Sequence, residues 1–97
     1  VWLRRRARLA IPVQNGAKFV RLLIIPRMPV PAINPGWCRI NGGEAEPFDN
    51  SCADVNFPVA AGRNGRLEIE IEMENEHRVE GDSRDLALAI RGVEFLS

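Results

Sequence analysis

Leu67-Glu68-Ile69-Glu70-Ile71-Glu72-Met73-Glu74 alternates apolar and acidic residues without a break. A helix would scatter these side chains around its axis, whereas a strand sets four apolar groups on one face and four carboxylates on the other. This stretch decides the fold class, and its neighbours follow the same period. Leu3, Ala7, Leu9, Ile11 and Val13 fall on one side of an N-terminal run, with Arg4, Arg6, Arg8 and Ala10 on the other, which predicts a strand with one wet face. Lys18 to Pro26 is a β-rich run, apolar on both faces apart from Arg21, and reads as a more central strand.

Punctuation separates these runs. Gln14-Asn15-Gly16 is a turn signal, and prolines at 26, 29, 31 and 35 forbid a helix and predict an irregular connection or an edge segment. Trp37 to Ile40 is a short strand that ends in Asn41-Gly42-Gly43, residues that tolerate the positive φ of a hairpin turn. Glu44 to Ala53 reads as a polar loop, Val55 to Val59 as a short strand, Ala60 to Gly65 as a turn and Asn75 to Asp85 as a second polar loop. Leu86 to Leu96 closes the chain as a strand apolar on both faces, with Gly92 marking a bulge. The pattern predicts an all-β, antiparallel β-sandwich or barrel of about six to eight strands, occupying residues 1–97 as one domain.

Thirteen basic and thirteen acidic residues give a formal charge of zero, but the signs are segregated. Residues 1–39 hold eight of the basic residues and no acid; residues 40–97 hold the other five and all thirteen acids. Two readings exist: a basic arm that seeks a polyanion, or two halves of one domain that pair. Opposing Arg4, Arg6 and Arg8 to Glu68, Glu70 and Glu72 across neighbouring strands favours internal pairing and ranks nucleic acid low as a partner. The apolar runs fall well short of the roughly 20 residues a spanning helix needs, so no membrane insertion is expected. The first residue is Val1, not Met, which points to a piece of a longer protein.

Residues 40–97 carry a further pattern. Ile40-Asn41-Gly42-Gly43, Val55-Asn56-Phe57-Pro58-Val59, Gly65-Arg66-Leu67-Glu68-Ile69-Glu70-Ile71, and Asp82-Ser83-Arg84-Asp85-Leu86-Ala87-Leu88-Ala89-Ile90-Arg91 closing on Val93-Glu94-Phe95 follow in that order. This succession resembles the small β-sandwich modules appended to bacterial cell-surface polysaccharide glycosyltransferases and related envelope-glycan enzymes. The resemblance implies a jelly-roll-like accessory domain without a catalytic residue or a cofactor. It also implies carbohydrate or a catalytic glycosyltransferase domain as partner, a cell-envelope setting on the cytoplasmic or periplasmic side, and room for homo-oligomerisation. The loop Asn75-Glu76-His77-Arg78-Val79-Glu80-Gly81 departs from the proline-containing loop of such modules.

Candidate chemistry is sparse. A nucleophile would have to be Cys38, Cys52, Ser51 or Ser83 activated by His77, the lone histidine, and no elbow motif surrounds any of them. Cys38, Cys52 and His77 lack zinc-ligand spacing. Oxygen-rich loops at Asp49, Asn50 and Asp54, and at Glu80, Asp82 and Asp85, are weak calcium candidates that lack EF-hand spacing. The two cysteines either pair, which would contribute about 3 kcal/mol, or stay reduced as small hydrophobes. Sugar binding on a β-module relies on aromatic faces beside polar groups. That selects Trp37, with Arg39, His77 and Arg78 as the accompanying ligand contacts; core packing of Trp37 is the competing reading. A non-catalytic carbohydrate-binding or docking module is therefore expected, ahead of a purely structural or oligomerisation module and of a small hydrolase using His77.

Overall fold

A computed structural model of the chain describes residues 2–13, 16–28, 30–59, 65–78 and 85–96. Residues 14 and 15 of the expected turn 14–16, residues 60–64 of the expected turn 60–65, and residues 79–84 of the expected loop 75–85, with Glu80, Asp82, Ser83 and Arg84, lie outside the described residues. Among the described residues ten strands follow in chain order: β1 (Trp2–Leu3), β2 (Arg6–Pro12), β3 (Phe19–Ile24), β4 (Pro35–Ile40), β5 (Glu46–Asp49), β6 (Asp54–Pro58), β7 (Arg66–Met73), β8 (His77–Arg78), β9 (Asp85–Leu86) and β10 (Leu88–Leu96). They form two antiparallel four-stranded sheets, ordered β1-β10-β3-β6 and β2-β7-β4-β5, and a two-stranded β8-β9 ladder. The chain is an antiparallel β-sandwich. Only β4 and β5 are consecutive neighbours within a four-stranded sheet; the other consecutive strands of the two sheets lie in opposite sheets.

Alternation fills the space between the sheets. Val20, Leu22, Ile24 and Phe57 of one sheet meet Cys38, Ile40, Leu67, Ile69, Ile71 and Met73 of the other, all within one buried cluster. Phe48 of β5 meets Phe57 of β6 edge-on across the gap, with centroids 5.9 Å apart and planes at 80°, a preferred aromatic geometry.

Four sequence expectations change, one of them being that the terminal run 86–96 is divided, its first residue, Leu86, joining β9 against β8 and Leu88–Leu96 forming β10. The N-terminal run is two strands, because β1 pairs with β10 in one sheet and β2 with β7 in the other. Arg5 is the reason: it occupies the position where the apolar period calls for an inward side chain, and it is exposed. The chain therefore changes sheets at Arg4-Arg5. The loop expected at 44–53 contains the edge strand β5. Its proline is tolerated because Trp37, opposite Pro47, points its backbone polar groups toward β7, as the hydrogen bond from Glu74 N–H to the Pro35 carbonyl at 2.8 Å fixes by alternation. Finally, the polar segment after β7 contributes β8. The bulge in β10 falls where the sequence places it: the register against β3 shifts between Ile90 and Gly92.

The proline-rich connection is held by two asparagines, Asn34 and Asn50, both fully buried. Asn34 mimics a strand backbone. Its Nδ2 donates to the carbonyls of Asn75 and Ala87 at 2.8 and 3.2 Å, and its Oδ1 accepts from Asn75 N–H at 2.9 Å. Asn50 accepts from Asn34 N–H at 2.7 Å and donates to the carbonyls of Val30 and Ala32. Every polar group of the two amides is used, as burial demands.

Candidate functional site

The outer face of the β2-β7-β4-β5 sheet is built by the same alternation that fills the core. Arg6 and Arg8 project from β2, Glu68, Glu70 and Glu72 from β7, and Trp37 and Arg39 from β4. The register sets them in rows: Arg6, Glu72, Trp37 and Pro47 cross the four strands in one line, and Arg8, Glu70 and Arg39 form the next.

Charge pairing between β2 and β7 is the ladder that the segregated charges predict. Arg6 Nε lies 3.2 Å from Glu72 Oε1, Arg8 Nη2 lies 3.4 Å from Glu70 Oε1, and Arg8 Nε lies 3.3 Å from Glu68 Oε1. Arg4 lies in the link before β2 and takes no part in these pairs. These bridges leave Arg39 without a carboxylate. It makes no ion pair among the described residues and sets its guanidinium carbon 5.0 Å from the Trp37 ring centroid, a cation–π contact worth about 0.5–1 kcal/mol at an exposed site. Arg39 Nε is buried and has no hydrogen-bond partner among the described residues, a state that costs free energy whenever the donor stays dry.

Trp37 is half-buried and stands between two shallow, open grooves. One, of about 460 Å³, is walled by Arg6, Arg8, Trp37, Arg39, Glu70 and Glu72. The other, of about 340 Å³, is walled by Pro35, Gly36, Trp37, Glu72, Met73 and Glu74. The structure thus brings Trp37 and Arg39 together. His77 and Arg78 are exposed on β8, paired in register with Leu86 and Asp85, and neither lines a groove beside Trp37. The sequence pairs Arg6 with Glu72 only as a charge ladder; that both, with Gly36, border Trp37 follows from the β4-β7 pairing, which no local pattern announces.

Cys38 faces the core with no exposed surface, and burial, then the charge of Glu46, pushes its thiol from the ordinary 9.0 up to about 12. A thiol so protonated is a poor nucleophile, and exposed His77 is on another element. Because the folded state favours the neutral thiol, its contribution to stability is whole below the unfolded value and is lost as pH rises toward 12. Cys52 is exposed and both cysteines are free, so they do not form a disulfide.

Asp49 caps a turn: the hydroxyl and the backbone N–H of Ser51 both donate to its carboxylate, which holds it below the usual carboxylate range. Asp54 pairs with Arg91 at 3.5 Å, and Asn50, expected beside them in an oxygen-rich loop, is buried as a structural amide. Asp85 begins β9. Among the described residues no group of three or more His, Cys, Asp or Glu is placed to hold a metal ion.

The opposite outer face, on the β1-β10-β3-β6 sheet, carries a polar row in which Arg21 bonds Asn56 at 3.0 Å and meets Glu94 at 3.7 Å. Beside it Phe19 is 44% exposed, flanked in register by Pro58 and Leu96. Comparisons of the chain with family models, with curated proteins and with solved structures return no match.

Proposed function

We propose that the protein is a non-catalytic β-sandwich module of a bacterial surface-glycan enzyme, and that the outer face of its β2-β7-β4-β5 sheet binds carbohydrate weakly on Trp37. One observation carries this reading: a half-buried tryptophan standing on a flat strand face, grooved on both sides and bordered by Arg and Glu side chains. A pyranose offers an apolar face for stacking and a rim of hydroxyls for hydrogen bonds, and such a site offers partners to both. The shallow grooves suit a chain passing over the surface, with affinity limited by the single aromatic ring. The resemblance of residues 40–97 to glycan-enzyme accessory modules agrees with this reading. The strand order β1-β10-β3-β6 over β2-β7-β4-β5 also agrees with the jelly-roll-like winding that the resemblance implies.

The experiment uses the two tryptophans separately. In a Trp2→Phe variant the emission comes from Trp37 alone, and adding envelope polysaccharides or oligosaccharides should shift it. Trp37→Ala should abolish binding measured by titration calorimetry. Silence of the Trp2→Phe variant across a broad glycan array removes the sugar reading.

A second reading, docking against a catalytic glycosyltransferase domain, is favoured by Phe19 with Pro58 and Leu96 on the other face. It predicts that Phe19→Ser weakens association with that domain while Trp37→Ala does not.

A further inference from the structure

We infer that the glycan taken by this face is an acidic one, a uronate or similar carboxylate-bearing sugar, with its carboxylate on Arg39 and its ring on Trp37. The inference rests on the sugar-binding reading of the face and specifies the ligand.

The groove beside Trp37 holds three guanidinium groups, Arg6, Arg8 and Arg39, against two carboxylates, Glu70 and Glu72. Glu72 is held by Arg6 and Glu70 by Arg8, and the remaining bond of Arg8 goes to Glu68. Arg39 is the charge left over. Its nearest acid in register is Glu70, directly opposite on β7, yet Glu70 is engaged on the far side by Arg8. With no acceptor for Nε among the described residues, Arg39 rests on the indole.

This arrangement discriminates between ligands. A neutral sugar that displaces the guanidinium from the ring replaces one contact with another and leaves Arg39 unpaired. A carboxylate draws the guanidinium away by a bidentate, charge-assisted pair that uses Nε and Nη together, and the same movement frees the indole for the sugar ring. Polarity also follows. The second groove carries Glu72 and Glu74 and no cation, so it repels a carboxylate. The acidic unit therefore sits on the Arg39 side of Trp37, and an uncharged unit lies over Pro35 and Gly36.

The test is titration calorimetry at low salt with an oligogalacturonate and with its carboxyl-reduced, neutral counterpart, on wild type, Arg39→Gln, Arg39→Lys and Trp37→Ala, each checked for folding by thermal melting. Wild type should bind the acidic form about ten-fold more tightly, the size expected of one charge-assisted fork. Arg39→Gln should bind the two forms alike. Arg39→Lys, which keeps the charge and loses the fork, should recover only part of the preference. Should Arg39→Gln fail to fold, the Arg39→Lys variant and the salt dependence decide, since only the acidic form should lose affinity as salt rises. Equal binding of both forms by wild type, or a preference that survives in Arg39→Gln, overturns the acidic assignment while leaving the Trp37 platform standing. Binding of neither form, or full binding by Trp37→Ala, overturns the platform and this inference with it.

Discussion

A methyl group added at Gly36 would sit 2.5 Å from the Glu72 carbonyl oxygen and 2.5 Å from Met73 Sδ, with Met73 Cα at 3.1 Å. The sulfur can swing aside; the β7 backbone cannot without breaking its ladder. Gly36→Ala should therefore cost about 1–3 kcal/mol, as overpacking does, and lower the melting temperature by several degrees. Gly92 is the contrast, since a methyl there would meet only Leu23 Cδ1 at 3.9 Å; an unchanged melting temperature for Gly36→Ala would show that β4 and β7 are not so closely packed. Little of this residue-scale detail was legible in the sequence. Gly36 reads as one more small residue after a proline, and Asn34 and Asn50 read as loop polars. Their burial depends on which carbonyls the folded connection brings within reach, and no local pattern encodes that. Asn41 is different: its φ of 51°, followed by Gly42 at 71°, is the turn that the Asn-Gly pair announces.

At the scale of elements, the β2-β7 pair was the most legible part of the chain, because charge and hydropathy repeat with the same period of two. The ladder is solvent-exposed, with side-chain exposures of 76% and 66% for Arg6 and Arg8, so each pair contributes at most about 0.2–1 kcal/mol. Reversing both arginines to Glu should destabilise the protein by about 1–2 kcal/mol, roughly 4–8 °C per kcal/mol in a domain of this size. Reversing Glu68, Glu70 and Glu72 to Arg in the same chain should restore most of it. Added salt should shrink both differences; a double reversal that melts no higher than the single one would refute the register-specific pairing. The strand β5 was not legible, because Phe48 is its one inward apolar residue and Pro47 argues against a ladder until the edge position is known. Arg5 did carry a signal for the change of sheet, visible only as a break in an otherwise regular alternation.

Across the whole molecule, Phe57 joins the two layers. It is 2% exposed, pairs with Val20 within its own sheet and meets Phe48 of the other edge-on. Phe57→Ala should cost about 3–5 kcal/mol, a large share of the 5–15 kcal/mol typical of a domain. Because the sheets share one core, both should still melt in a single transition when followed by far-ultraviolet dichroism and by Trp37 fluorescence; separate transitions would show that the layers fold independently. The sequence by itself determined that the chain is all-β and where most of the long strands run, because these follow from side-chain period, which is local; its segregated charges favoured a pairing of the two halves without fixing it. Only the tertiary structure decided which strands share a sheet, that Asn34 and Asn50 are interior, and that Arg39 rests on Trp37 with no carboxylate partner among the described residues. Those outcomes depend on the order β1-β10-β3-β6 over β2-β7-β4-β5, in which neighbours distant in sequence compete for the same partners, and Arg8 reaches Glu70 where Arg39 does not.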